Sequence, residues 1–215
     1  MKNQSNLYIN ELIKRYPKLV QIQSNIIDAI EIMKESTINH GKYLICGNGG
    51  SAADSDHIVG ELMKGFVLNR TIEAEFKLKL ETSFPNDAKY FVDNLQMGIP
   101  AISVMSHSAL TSAFSNDKAP DLIFAQQVFG YGKKGDVLLA ISTSGNSKNV
   151  VYAAQVAKTM GLKVISLTGS NGGKLRDISD VLINVPEIET YKVQEYHLPI
   201  YHIICLVLEH EFFGG

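Results

Sequence analysis

Five short segments of the sequence are apolar throughout and lack the polar alternation of a half-exposed strand. They are residues 43–46, 101–105, 137–141, 164–167 and 181–185. Continuous apolar runs of this length are typical of strands buried on both faces of a parallel sheet. Helical patterns lie between them, at residues 52–64, 121–129 and 149–160. This alternation predicts a doubly wound α/β fold with helices on both faces of the sheet.

The chain has 215 residues, 45% of them apolar, which predicts one domain over residues 1–215. Residues 1–38 form an N-terminal helical arm with a break near Pro17, and this arm covers either the core or a neighbouring subunit. Residues 67–98 are too long for a plain connection and form an insertion within the domain. A decorating helix pair and a lid over a substrate are both open interpretations of the insertion.

Composition excludes several classes of function. The formal net charge is −2, so the chain has no general attraction for nucleic acid or for an anionic membrane. No apolar run reaches the ~18 residues that a membrane span needs, and the N-terminus lacks the apolar core of a secretion signal. The two cysteines, Cys46 and Cys205, have no CxxC neighbour and are expected to be reduced core residues. We therefore expect a cytoplasmic protein.

Two strand-to-helix turns are built from glycine and hydroxyl residues. The first reads Gly47-Asn48-Gly49-Gly50-Ser51, and the second reads Ser142-Thr143-Ser144-Gly145-Asn146-Ser147. Each should place free backbone N–H groups at a helix start, where phosphate binds well. Helix capping alone needs one such residue, whereas the second turn has four hydroxyls. Neither turn has the P-loop lysine or the GxGxxG spacing, which disfavours ATP and NAD.

Two helices carry polar groups that could act on a substrate. His57 and Glu61 stand four residues apart on one helix face, a spacing that suits a metal, acid–base chemistry or a simple surface pair. In the last helix, Gln194 shares a face with Tyr201, whereas His202 lies on another face. Periodicity does not choose between these faces. The glycine-rich loop at residues 168–174 is a weak signal by itself.

Four segments together resemble a known family. They read CGNGGSAADSDHIVGEL, ISTSGNSKNV, LTGSNGGKL and VQEYHLPIYH. In this order they resemble the sedoheptulose-7-phosphate isomerase (phosphoheptose isomerase) family of the sugar-isomerase (SIS) domain group, over residues 41–209. The resemblance implies a flavodoxin-like three-layer sandwich with a five-stranded parallel sheet. It also implies a homotetramer with active sites between subunits, acting on a small sugar phosphate through an enediolate.

The resemblance also implies roles for individual residues. Substrate would be held by Asn48, Gly49, Gly50, Ser51, Ser142, Thr143, Ser144, Ser147 and Gln194. Glu61 and His202 would be the catalytic acid–base pair. Zinc would be bound by His57, Glu61, Gln194 and His202, with one weak ligand or an open position when substrate binds.

Two positions depart from the family pattern. The loop at residues 103–108 lacks the aspartate that many members use to bind the sugar, and Tyr191 replaces another aspartate. These changes leave the phosphate turns intact but weaken the expectation of a heptose. The alternatives are an isomerase of another sugar phosphate, a sugar-phosphate sensor, or a non-catalytic SIS-fold protein like the one that associates with the replication initiator.

Overall fold

The sheet is parallel, and its strand order is β2-β1-β3-β4-β5 in the computed structural model, which describes residues 3–214. The strands are β1 (Tyr43–Cys46), β2 (Ala101–Ser103), β3 (Val137–Ile141), β4 (Lys163–Thr168) and β5 (Val181–Asn184). The helices are α1 (Asn3–Arg15), α2 (Gln23–Ile38), α3 (Gly50–Met63), α4 (Ala74–Ser83), α5 (Ala88–Asn94), α6 (Ser108–Asp117), α7 (Ile123–Tyr131), α8 (Lys148–Thr159) and α9 (Thr190–Phe213). Short 3₁₀ helices span Pro17–Ile22, Pro120–Leu122 and Gly173–Asp177.

Alternate residues of each central strand enter two separate apolar cores. On β1, Ile45 packs with α1, α2, α3 and α9, whereas Leu44 packs with α7 and α8 on the opposite face. On β3, Leu139 and Leu138 divide in the same way. Because both faces are covered, every β3 residue is buried, as the continuous apolar run predicts. The three-layer sandwich predicted from the sequence is confirmed.

The predicted strands match the observed ones, with one clear difference at the sheet edge. β2 pairs with β1 over three residues only and ends at Ser103, two residues earlier than predicted. The Val104 N–H still donates to the Ile45 carbonyl, at 3.0 Å, but the chain then turns, with the Ser106 N–H 3.3 Å from the Ser103 carbonyl. An apolar run shows that a segment is buried, but it does not show where pairing stops.

The N-terminal arm covers the core of its own chain. It breaks at Pro17, as predicted, because proline at the start of the 3₁₀ helix has no N–H to donate. Ile9 and Leu12 of α1 are each 2% exposed and belong to the same apolar core as α9. A contact with a neighbouring subunit stays a prediction, and it has exposed apolar groups available in Leu7 and Val20.

The insertion contains a helix pair, α4 and α5. Thr71 and Gln96 form an antiparallel bridge at its base, and the Gln96 Oε1 atom accepts the Gly65 N–H at 2.8 Å. Several large apolar side chains of the insertion are exposed, including Phe84 and Tyr90. Two helices are therefore present in the insertion, and both the decorating role and the lid role stay predictions.

Helix α9 is the longest helix and packs against α1, α2 and α3. Within residues 3–214, no helix has both the length and the apolar character needed to cross a membrane. His197 of α9 is fully buried, with its Nε2 atom 3.4 Å from the Thr168 carbonyl oxygen. Burial lowers the pKa of His197 to about 4, so this imidazole is neutral in the folded protein at neutral pH.

This buried histidine predicts a pH-dependent loss of stability. Between the unperturbed pKa of 6.5 and about 4, the unfolded chain takes up a proton at His197 that the folded chain does not. The stability that His197 contributes above this window is therefore lost as pH falls through it, by at most about 1.4 kcal/mol per pH unit. His197→Gln keeps an N–H donor for Thr168 but does not titrate. Urea unfolding at about pH 7 and about pH 4.5 should show a smaller loss in the variant, and equal losses would contradict the prediction.

Candidate active site

The first turn places the start of α3 at the carboxyl end of β1. Gly49 has φ 56° and ψ −122°, a conformation that side-chain-bearing residues rarely adopt, and α3 begins at the next residue, Gly50. The N–H groups of Ser51 and Ala52 turn back onto the carbonyl oxygens of Asn48 and Gly49, each at 3.0 Å. The positive end of the α3 dipole therefore faces the edge of the sheet where an anion can bind.

The second turn gathers hydroxyl groups at the start of α8. Ser142 donates its Oγ–H to the Ser147 Oγ atom at 3.1 Å, and Ser147 is the residue that precedes the helix. Ser142 is 4% exposed, whereas Ser144 is open to solvent and Thr143 is half-buried. The turn thus combines hydroxyl donors with a helix N-terminus, an arrangement that suits a phosphate.

The third loop, residues 168–174, supports the second turn. Gly145 lies so close to it that a Cβ atom there would be 2.0 Å from the Gly172 carbonyl oxygen. The Lys174 N–H donates to the Asn146 Oδ1 atom at 3.1 Å. These contacts give the weak glycine signal a structural role, because they hold the second turn in place.

An amide pair joins the first turn to the second. The Asn48 and Asn149 side chains exchange two hydrogen bonds, each 2.9 Å long. They meet because β1 and β3 are neighbours in the sheet and end at the same edge. Sequence reasoning identified Asn48 but missed Asn149, since an asparagine at a helix start already has an ordinary capping role.

Helices α3 and α9 bring three of the predicted residues together. The Nε2 atom of His57 is 3.1 Å from the Oε1 atom of Glu61, and the His57 ring is centred 5.0 Å from the His202 ring. The other Glu61 oxygen is 3.4 Å from the Lys64 ammonium group. Glu61 and the two imidazoles therefore form one cluster, which we call the acid–base cluster.

Two further residues orient His57, and sequence reasoning gave neither a role. Tyr201 donates its hydroxyl hydrogen to the Asp54 Oδ1 atom at 3.1 Å, and its oxygen lies 3.1 Å from the His57 Nδ1 atom. Burial raises the pKa of Asp54, although the hydrogen bond from Tyr201 opposes this shift. The pairing of Asp54 and His57 at i and i+3 on α3 was the available signal, but nothing in the sequence indicated that Tyr201 of α9 joins them.

These partners determine where the protons lie. Since Tyr201 donates to Asp54, its oxygen accepts from the His57 Nδ1–H, which leaves the His57 Nε2 lone pair facing the Glu61 carboxylate. The Glu61 carboxylate and the His57 Nε2 atom are thus close enough to share a proton or to bind a cation between them.

His202 lies at the edge of a cavity of about 320 Å³ formed by α1, α9 and Phe66. Its Nε2 atom is buried and has no hydrogen-bond partner within residues 3–214. Burial lowers the pKa of His202, and the Arg15 guanidinium acts in the same direction, whereas the Glu61 carboxylate opposes the shift. A neutral imidazole with an unpaired nitrogen is available to a substrate oxygen or to a metal.

Gln194 lies at the other end of α3. A Cβ atom on Gly50 would be 2.6 Å from its Nε2 atom, so Gln194 is in contact with the first turn. Across the part of the chain that is described, no three His, Cys, Asp or Glu side chains are already grouped to hold a metal ion. The donor types of the acid–base cluster and the unpaired His202 nitrogen nevertheless suit zinc. The four-residue zinc site stays a prediction.

The loop after β2, which has no acidic residue of its own, is in contact with one from α3. Ser106 donates its hydroxyl hydrogen to the Asp56 Oδ1 atom at 2.6 Å. Asp56 and His107 line a small open cavity at this place. A carboxylate is thus present beside the loop, although it comes from a different element than the family pattern implies.

Comparison with known proteins agrees with this architecture. A family model for the SIS domain matches residues 7–96 and 86–169. The phosphoheptose isomerase of Helicobacter pylori (strain P12) is 37% identical over 194 residues, which cover 90% of this chain and 88% of the relative. The chain belongs to the phosphoheptose isomerase family.

Solved structures of the phosphoheptose isomerase family have the same fold. The enzyme from Neisseria gonorrhoeae aligns with a TM-score of 0.73 at 30% identity, over 96% of this chain and 97% of that one. The enzyme from Francisella tularensis aligns with a TM-score of 0.75 at 29% identity, over 98% of this chain and 100% of that one. The family predicted from the four sequence segments is confirmed.

Proposed function

We propose that the protein is a phosphosugar aldose–ketose isomerase that interconverts sedoheptulose 7-phosphate and D-glycero-D-manno-heptose 7-phosphate. One observation carries the proposal: a carboxylate and two imidazoles, from α3 and α9, meet in one cluster. Membership of the phosphoheptose isomerase family supports the same reaction. A binding protein without catalysis would not need an acid–base cluster at this position.

The phosphate of the substrate would bind between the two turns. The α3 and α8 N-termini supply partial positive charge, and the second turn supplies hydroxyl donors. The Asn48–Asn149 pair keeps the two turns at a fixed separation. Binding at the phosphate would orient the rest of the sugar before any proton moves.

The reaction moves a proton between C1 and C2, so it needs one base that reaches both carbons and a group that serves the oxygens. Glu61 would be the base, with the His57 Nε2 atom 3.1 Å from its carboxylate. His202 would serve the substrate oxygen, because its lowered pKa keeps it neutral and its Nε2 atom is unpaired. Tyr201 and Asp54 would hold His57 in the tautomer whose Nε2 lone pair faces Glu61.

The Glu61→Gln variant tests the catalytic role. We expect turnover of sedoheptulose 7-phosphate to fall by roughly 100-fold or more, because the amide cannot accept the proton. Binding should persist, since the phosphate turns are untouched, and isothermal titration would measure it. Glu31→Gln on α2 is a matched control, which should leave turnover unchanged. Loss of binding with normal turnover per bound substrate would refute the assigned role.

The same assay separates heptose from other substrates. A panel of pentose, hexose and amino-sugar phosphates, run beside sedoheptulose 7-phosphate, compares kcat/KM values directly. Preference for another sugar would favour the altered loops as the site of specificity. Binding without any turnover would favour a sensor or a non-catalytic partner protein.

We also propose that zinc takes part in this reaction. His57, Glu61 and His202 would hold it, whereas Gln194, the fourth ligand predicted from the sequence, lies at the other end of α3 in this chain. When bound, zinc would act as a Lewis acid towards the substrate carbonyl. Protein purified without chelator should contain about one zinc per chain by elemental analysis, and His202→Ala should lower this content. Full activity in EDTA, with no zinc found, would contradict the proposal.

The assembly that we propose is a cytoplasmic homotetramer with active sites between subunits. Gly50 and Glu61 lie about 16 Å apart along α3, which favours a phosphate turn and an acid–base cluster from different subunits. Both cysteines are buried and unpaired, which suits a reducing compartment.

Hybrid enzymes test the shared site. Glu61→Gln chains and Ser142→Ala/Ser144→Ala chains, each inactive alone, should regain activity when they are co-expressed, because some sites then combine two intact halves. Light scattering would give the tetramer mass. Hybrids that stay inactive would place each site within a single chain.

A further inference from the structure

Arg70 and Glu209 form an ion pair in the protein interior. Their side chains are both 0% exposed, and the Arg70 Nε atom is 2.8 Å from the Glu209 Oε1 atom. Burial of two charges is offset only partly by their attraction, so such a pair is weak evidence of a stabilising role. Its other contacts indicate what it does.

Arg70 forms hydrogen bonds with the C-terminal turn of α3. Its two terminal nitrogens donate to the carbonyl oxygens of Leu62, at 2.6 Å, and Glu61, at 3.0 Å. Carbonyl groups in the last turn of a helix have no partner within the helix. The guanidinium group of Arg70 supplies the missing donors. It therefore holds the backbone of Glu61, the proposed catalytic base, directly.

Glu209 accepts hydrogen bonds from the segment that follows α3. Its carboxylate accepts the N–H groups of Phe66, Val67 and Leu68, at 2.7, 2.9 and 3.2 Å. Phe66 lies against His202, with the ring centres 5.6 Å apart. Glu209 belongs to α9, about two turns beyond His202. One carboxylate thus ties the His202 helix to the residues that surround His202.

We propose that Arg70 and Glu209 are positioning residues that set the distance between Glu61 and His202. The inference rests on the proposed isomerase function and concerns residues that do not touch the substrate. Without the pair, α3 and α9 would still pack through their apolar faces, but the end of α3 could shift along α9. A misplacement of about 1 Å can lower a rate roughly 100-fold.

Two variants weaken the pair in different ways. Arg70→Lys keeps the positive charge, but an ammonium group cannot reach two carbonyls and a carboxylate in the fork geometry of a guanidinium. Glu209→Gln keeps the shape but presents N–H groups to backbone N–H donors. In both, kcat for sedoheptulose 7-phosphate should fall roughly 10- to 100-fold, whereas KM stays within about twofold, because the phosphate turns lie at the other end of α3.

A similar pair far from the cluster provides the control. Asp136 accepts the Lys42 and Lys133 N–H groups, at 3.0 and 2.8 Å, and pairs with the Lys42 ammonium group at the amino end of the strands. Asp136→Asn should lower the thermal unfolding midpoint and leave kcat unchanged. Activities are compared below the unfolding midpoint of each variant, so that loss of folded protein does not enter kcat.

The outcomes are distinguishable. A wild-type protein without turnover would overturn the proposed function, and the positioning role with it. An active wild type with unchanged kcat in Arg70→Lys and Glu209→Gln would overturn the positioning role alone, whatever their unfolding midpoints. If Glu209→Gln does not fold, Arg70→Lys decides: reduced kcat at unchanged KM supports the proposal, and wild-type kcat overturns it.

Discussion

The register between β1 and β3 is the constraint on which the rest of the structure depends. Cys46 is aligned with Ala140, so the two central strands end side by side and release their turns at the same edge. A slip of one residue would exchange the faces of a whole strand and move its apolar side chains into the wrong core. Because both faces are buried, the register is strongly fixed, and the Asn48–Asn149 pair follows from it.

Helix α3 connects the two functions of the site. It begins at the first turn and ends near Glu61, and α9 lies against it with Tyr201 and His202. Placement of charged groups along a packed helix is more precise than placement on loops, since both the rise per residue and the packing are fixed. Two polar pairs lie along α3, Asp54–Tyr201 and Arg70–Glu209.

Much of the fold could be predicted because the buried strands coincide with continuous apolar runs in the sequence. The end of β2 could not, because it depends on pairing with β1. The site divides in the same way. Residues in local motifs, such as the hydroxyls of the second turn, were identified from sequence. Asn149, Tyr201 and Glu209 were not, because each acquires its partner only when distant segments meet.

The bridge between Thr71 and Gln96 closes the base of the helix pair, so the chain leaves the domain and re-enters it at one point. The entropy of closing such a loop grows only slowly with its length. The segment between these residues could therefore be lengthened, shortened or exchanged in evolution while α3 and β2 keep their places. This makes it the part of the molecule best suited to acquire a new binding property without a change of chemistry.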